Sequence, residues 1–165
     1  MRNMGLTYQH TTWNENIYSH GEVKVIFSGR GKVDNSENVK LFSFPVDPHH
    51  LVVRGEKIRG LLCDFSSKNI CDFYIFLKKR NVKKLKVKVI FRGKISSNWI
   101  SFEKKIYRIK VEWSNRHLHA ITFPSKYQIV NVFPKGYKLD RNRNGVTISW
   151  LWKKGFSGDI IVKFK

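Results

Sequence analysis

The chain has 165 residues, the length of one domain, and its 41% hydrophobic and 14% aromatic content excludes a disordered, charged tail. Lys and Arg number 32 against 12 Asp and Glu, which gives a formal net charge of +20. This excess favours anionic partners such as nucleic acid, anionic lipid, acidic glycan or acidic protein, and no run approaches the roughly 18 apolar residues of a membrane-spanning helix.

Alternation of apolar and polar residues recurs along the chain and predicts strands with one buried face. In chain order, the apolar positions of the clearest strands are Val23, Val25 and Phe27; Leu85, Val87, Val89 and Phe91; Tyr107, Ile109, Val111 and Trp113; Val146, Ile148, Trp150 and Trp152; and Ile160, Val162 and Phe164. Clusters of turn-forming residues, such as "SGRGK", "FPVDPHH" and "DRNRNG", separate these runs. We therefore predict an all-β fold with about 10 to 12 strands and little or no helix.

Clean alternation also predicts that each sheet has one buried and one solvated side, which indicates two packed antiparallel sheets. The expected architecture is an antiparallel β-sandwich, either immunoglobulin-like or a larger two-sheet sandwich. No linker is evident, so we expect a single domain over residues 1–165, with a possible seam near residues 113–117.

The positive charge is concentrated in the middle of the chain, where residues 56–110 carry a net charge of +12. With Leu85, Val87, Val89 and Phe91 inward, the intervening basic residues point outward at i, i+2 spacing, about 6.6 to 6.8 Å apart. This pattern is typical first of a solvated strand face or an edge strand studded with Lys, and second of a surface that binds polyanions. The candidate polyanion-binding residues are Lys78, Lys79, Arg80, Lys84, Lys86, Lys88 and Arg92.

Aromatic residues lie close to these bases. If Phe73, Ile75 and Leu77 face the core, Tyr74 and Phe76 face outward, and Trp99 follows later in the chain. Rings beside Lys and Arg are the elements of a stacking platform for single-stranded nucleic acid, although packing under a covering loop or a second layer is the commoner cause of such rings.

Two cysteines, Cys63 and Cys71, frame the segment "CDFSSKNIC". The polar residues between them indicate a loop joining two strands, where a disulfide could close if the strands pair in register. The alternative is two buried free thiols, because no second cysteine pair indicates an oxidising compartment.

Signals for catalysis are weak. "HLH" places His117 and His119 on one side of a strand as a possible metal pair, but a third ligand at a fixed spacing is missing. Asp72 with Glu103 and Lys105 resembles one nuclease pattern that is common by chance in a Lys-rich chain. Neither a nucleophile elbow nor a phosphate-binding glycine loop is present. We therefore expect no catalytic residues, metal or cofactor.

The last 43 residues carry a Pro-bearing strand start at Phe123 and Pro124, a turn with Val132, Pro134 and Gly136, a strand around Trp150, and a closing "G-x-I-x-V-x-F" from Gly158 to Phe164. Together with "HGEVKVIFSG" as an opening strand, this pattern resembles β-sandwich ectodomains of archaeal and bacterial membrane-anchored proteins of unassigned function. The resemblance implies a domain presented outside the membrane that acts through its surfaces.

These observations lead to three functional expectations. The first is a non-catalytic, basic interaction module, an exposed domain of a surface or membrane-attached protein that contacts an anionic macromolecule and has no small-molecule substrate. The second is a nucleic-acid-binding protein that uses the basic strand face and exposed aromatics. The third and most remote is a hydrolytic enzyme, because active sites assembled in space are invisible in a sequence. An extracytoplasmic location is expected if an anchor has been trimmed from the natural protein, and a cytoplasmic one otherwise.

Overall fold

A computed structural model describes residues 6–18, 21–34, 38–67, 70–79, 81–95, 100–101 and 104–165. These residues form fourteen strands and contain no helix that could cross a membrane. The strands are β1 Leu6–Ile17, β2 Glu22–Val33, β3 Asn38–Phe44, β4 Val46–Arg54, β5 Ile58–Ser67, β6 Ile70–Leu77, β7 Lys84–Ile95, β8 Ile100–Ser101, β9 Ile106–Trp113, β10 Arg116–Phe123, β11 Ile129–Phe133, β12 Lys138–Asn142, β13 Gly145–Trp152 and β14 Phe156–Phe164. The predicted all-β class is confirmed.

The strands form three sheets. The largest has seven strands in the order β12-β13-β10-β1-β2-β7-β4, and the others have four strands in the order β11-β14-β9-β8 and three in the order β3-β6-β5. All pairings are antiparallel except that of β1 with β10, which is parallel. The architecture is thus a sandwich in which two small sheets accompany one large mixed sheet.

The inward residues follow the predicted alternation. On β7, Leu85, Val87, Val89 and Phe91 are at most 4% exposed while the basic residues between them are exposed. One hydrophobic cluster draws on strands of all three sheets, and its aromatic centre packs Trp13, Phe27, Phe42 and Phe91 with ring centroids 4.9 to 6.2 Å apart. Burial of this cluster holds the three sheets together.

Strand β1 lies at the centre of the large sheet although its sequence is largely polar. It pairs with β2 on one side and with β10 on the other, and a register shift falls between Tyr8 and His10. Thr11 and Glu15 are among its buried residues. The "HGEVKVIFSG" stretch, predicted to open the fold, therefore forms the second strand.

The "DPHH" segment belongs to β4, at the edge of the large sheet, rather than to a turn. Pro48 is compatible with a strand there because an edge strand leaves some backbone N–H groups unpaired, and the register shifts between Pro48 and His50. At the predicted seam the chain passes from β9 in the four-stranded sheet to β10 in the seven-stranded one. The single domain over residues 1–165 stays a prediction.

Candidate functional site

The candidate site is a groove on the solvated face of the seven-stranded sheet. It has a volume of about 870 Å³ and is built from β1, β2, β4, β7 and the turn between β4 and β5. Lys57 in that turn closes one wall, because its Nζ donates a 3.0 Å hydrogen bond to the Lys84 carbonyl oxygen. We call this feature the basic groove; its charged lining residues are Arg30, Arg54, Glu56, Lys57, Lys84, Lys86 and Lys88.

The register sets like charges opposite one another at the basic groove. Lys86 pairs with Arg30, Lys88 pairs with Arg54, and Lys84 pairs with Lys32 just beyond the lining. Directly opposed like charges destabilise a sheet. Among the described residues, no ion pair joins any of the six lining cations to a carboxylate, and Glu56 is the one acid in the groove lining.

Glycines bring the backbone of β2 close to β1 beneath the basic groove. A Cβ at Gly31 would collide with the carbonyl oxygen of Thr7, and one at Gly29 would meet the ring of Tyr8. The contact at Gly31 is with backbone and excludes a side chain, whereas a side chain at Gly29 would require the Tyr8 ring to move. Arg30 therefore projects from a strand segment held tightly against its neighbour.

Three of the predicted polyanion-binding residues meet in this groove. Lys84, Lys86 and Lys88 all line it, whereas Arg92 lies further along β7 and borders a smaller cavity of about 640 Å³ with His49 and Glu22. Lys78 and Lys79 are exposed after β6, and the Lys78 N–H donates a hydrogen bond to the Lys57 carbonyl oxygen. Arg80 lies outside the described residues. The assignment of these residues to polyanion binding stays a prediction.

Sequence reasoning missed the other half of the lining. Arg30 belongs to "SGRGK", which was predicted to be a turn, but β2 continues through this segment to Val33 and leaves Arg30 exposed. Its position beside Lys86 depends on the pairing of β2 with β7, which lie far apart in the chain. Arg54 and Lys57 lie in a stretch for which the sequence pattern led to no strand or turn assignment.

The predicted stacking platform is separate from the groove. Tyr74 and Phe76 are half-buried on the three-stranded sheet, with the Arg59 guanidinium 5.8 Å from the centroid of the Phe76 ring. Trp99 lies outside the described residues. The only aromatic side chain that lines the basic groove, as far as the structure describes it, is the imidazole of His10.

A second polar cluster is enclosed in the core. Thr11 Oγ1 lies 2.6 Å from His117 Nδ1, and His117 Nε2 lies 2.9 Å from His119 Nδ1. The Trp113 ring stacks on His117 at a centroid distance of 4.1 Å. Burial lowers the pKa of His117 to about 2 and that of His119 to about 3, so both rings are neutral.

Glu15 is the acid of the same interior. Its carboxyl accepts hydrogen bonds from Trp13 Nε1 at 3.0 Å and from the Tyr107 hydroxyl at 2.8 Å. Burial raises its pKa to about 7, although both hydrogen bonds act in the opposite direction. The group is therefore an interior acid that titrates near neutral pH.

These donors do not fit a zinc ion. His117 and His119 hydrogen-bond to each other, and no group of three His, Cys, Asp or Glu side chains comes together within the described ranges. The structure also does not show the residues of the nuclease pattern coming together. Asp72 pairs with Lys40 at 3.4 Å in the three-stranded sheet, and Lys105 lies in the turn before β9. Glu103 is outside the described residues.

Cys63 and Cys71 are free thiols on neighbouring strands. Cys63 pairs across the β5–β6 hairpin with Phe73, so Cys71 stands diagonally from it rather than opposite. Burial raises the pKa of both thiols, which disfavours the reactive thiolate.

No known protein family and no curated protein matches the sequence. Solved structures do match the fold. The M1 zinc metallopeptidase from Deinococcus radiodurans aligns with 96% of this chain at a TM-score of 0.63 and 10% identity. Native yeast LTA4 hydrolase aligns with 96% of this chain at a TM-score of 0.60 and 11% identity. A putative nutrient-binding protein from Legionella pneumophila aligns with 97% of this chain at a TM-score of 0.58 and 6% identity.

The chain spans only part of these neighbours: 42% of the Deinococcus enzyme, 29% of the yeast hydrolase and 67% of the Legionella protein. Other matching M1 structures contain a Tyr-Ser-Ala substrate, L-tryptophan or L-arginine. At this level of identity the matches establish the fold.

Two expectations are wrong in the light of these matches. A non-catalytic interaction module that is not an enzyme was expected, but the neighbours at this fold include M1 zinc metallopeptidases and yeast LTA4 hydrolase. The absence of a small-molecule substrate was also expected, whereas neighbouring structures hold a tripeptide or single amino acids. Both expectations were based on the pattern of charged residues. That pattern describes one surface of the domain and carries no information about the larger proteins in which the same fold occurs. The resemblance to membrane-anchored ectodomains stays a prediction.

Proposed function

We propose that this chain is a β domain of a peptide-hydrolysing enzyme and that it contributes contacts to the peptide substrate. The observation that carries the proposal is the extent of the fold match: 96% of the chain superposes on M1 zinc metallopeptidases at TM-scores between 0.61 and 0.64. Fold alone does not fix activity, so substrate contact and hydrolysis are the parts to be tested.

The chain's share of the neighbours supports a domain role. It corresponds to 42% of the length of the Deinococcus enzyme, and its described residues supply no donor set that fits zinc. The role we assign is therefore to hold peptide, and the surface available for this is the concave basic groove.

The test is peptide binding by the purified chain. Tyr-Ser-Ala and a panel of five- to ten-residue peptides are titrated by isothermal calorimetry, with release of free amino acids followed by chromatography with and without Zn²⁺. Saturable binding of peptides, tighter than binding of their free amino acids, supports the proposal. Failure of every peptide to bind at millimolar concentration would overturn it.

A further inference from the structure

The proposed function does not say which class of peptide the basic groove binds. Resting on that function, we propose that the groove selects acidic peptides in extended conformation, with carboxylates at alternate positions.

Charge is the first argument. Six cationic side chains and one carboxylate line a single concavity, and the register forces Lys86 against Arg30 and Lys88 against Arg54. An anionic ligand offsets this repulsion by lying between the opposed cations. The groove is therefore completed electrostatically by negative charge.

Spacing is the second argument. Lys84, Lys86 and Lys88 project from one face of β7 at i, i+2 intervals, about 6.6 to 6.8 Å apart. An extended peptide repeats its same-face side chains at the same interval. Carboxylates at alternate positions of such a peptide match the three ammonium groups one to one, whereas adjacent carboxylates point to opposite faces.

Size and lining favour a peptide over nucleic acid. A volume of about 870 Å³ lies within the range of pockets that hold small ligands, about 300 to 1,000 Å³. Proteins that bind single strands stack bases on aromatic rings, but His10 supplies the only ring among the groove's described lining residues.

Two peptides of equal charge and composition test the spacing: Glu-Ser-Glu-Ser-Glu and Glu-Glu-Glu-Ser-Ser, each carrying the same fluorophore. We expect the alternating peptide to bind several-fold more tightly in fluorescence anisotropy, and Lys-Ser-Lys-Ser-Lys not to bind. Equal affinity for the two acidic peptides would overturn the extended-strand match.

Variants test the location. Lys84→Gln, Lys86→Gln and Lys88→Gln are combined, and the matched control combines Lys138→Gln, Lys153→Gln and Lys154→Gln, which removes three exposed charges elsewhere. Loss of three exposed charge pairs is expected to weaken binding of the alternating peptide about tenfold, whereas the control variant should weaken it less than twofold. Equal losses in both variants would show a general charge effect and overturn the proposal.

Arg54→Gln, on a different strand of the groove, is a second variant that should also weaken binding. A single-stranded oligonucleotide of equal charge is the competitor. Tighter binding of this oligonucleotide than of the peptide, lost in the groove variant, would reassign the groove to nucleic acid. Binding of Tyr-Ser-Ala that is unchanged in the groove variant, without preference for acidic peptides, would reject this inference while leaving the proposed function intact.

Discussion

The Tyr107 hydroxyl donates a 2.8 Å hydrogen bond to Glu15 Oε2 across the core, from the four-stranded sheet to the seven-stranded sheet. Both residues are buried, and Trp13 Nε1 donates a second hydrogen bond to the same carboxyl group. The junction of the two sheets thus contains a titratable acid, and the stability of the fold should report its protonation.

Glu15→Gln tests that dependence. The folded-state pKa of Glu15 is raised from 4.5 to about 7, so its contribution to stability is most favourable below pH 4.5 and declines as the pH rises to about 7. The loss amounts to about 3 kcal/mol. Glutamine keeps a hydrogen-bond acceptor and removes the titration. In urea unfolding from pH 5 to 8, the unfolding free energy of the variant should therefore rise relative to that of the wild type. Parallel stability curves would contradict the shift.

The buried histidines act in the opposite direction. The unfolded chain protonates His117 and His119 below about pH 6.5, whereas burial keeps both neutral in the fold to about pH 3. Stability should fall by about 1.4 kcal/mol per histidine for each pH unit below 6.5. Between pH 4.5 and 6.5 two histidines outweigh Glu15, so acid destabilises the wild type. His119→Gln should reduce the slope of unfolding free energy against pH by one proton, and an unchanged slope would argue against a neutral ring.

Repulsion across the groove predicts that removal of one charge stabilises the fold. Lys86→Gln relieves the pairing with Arg30 and should raise the unfolding free energy by about 0.5 kcal/mol at low salt. The gain should vanish near 1 M salt, where the Debye length is about 3 Å. Lys153→Gln, in the turn after β13, is the control and should change little. A loss of stability in Lys86→Gln would show that its side chain makes favourable contacts.

The two cysteines are expected to remain reduced. The two thiols hydrogen-bond to each other, but diagonal positions on paired strands lie about 7 to 8 Å apart, beyond the usual Cα separation of about 4.4 to 6.8 Å in a disulfide. Alkylation followed by mass spectrometry should find two free thiols after denaturation without reductant, and slow modification of the native protein. A bridged Cys63–Cys71 peptide would show that the hairpin shifts its register.

Two glycines with similar backbone angles allow the cost of backbone strain to be distinguished from the cost of a steric collision. Gly136 and Gly155 have φ angles of +83° and +85°, but a Cβ at Gly136 meets nothing within 4 Å while one at Gly155 would overlap the Trp113 carbonyl oxygen. Gly136→Ala should cost about 1 kcal/mol and Gly155→Ala clearly more, measured by thermal unfolding. Equal costs would mean that the backbone near Trp113 moves to accept the methyl group.

The solvated and buried faces of β7 and β13 were predictable because hydrophobic residues occupy every second position over most of each strand. The central strand β1 was not, since its buried positions include Thr11 and Glu15, whose polar groups hydrogen-bond to His117 and Tyr107 from distant strands. Local pattern cannot signal a partner that lies so far along the chain. The same limit hid the third sheet and the parallel pairing of β1 with β10.

For the site, alternation placed Lys84, Lys86 and Lys88 on one outward face, but their function depends on what stands opposite. Arg30 and Arg54 arrive through the pairing of β2 and β4 with β7. Strand pairing is a property of the whole fold. The sequence therefore predicted half of the cations that line the basic groove, but it did not predict that they line a concave surface.

The parallel pairing of β1 with β10 has a consequence for biosynthesis. Thr11 and His117, which meet in that pairing, are separated by 106 residues. During translation β1 can pair with β2 at once, but its other edge stays open until β10 has left the ribosome. Contacts of such sequence separation form late and leave an unpaired strand exposed in the meantime. A nascent chain stalled before residue 116 should therefore depend on chaperones, or pair its open edge with another molecule.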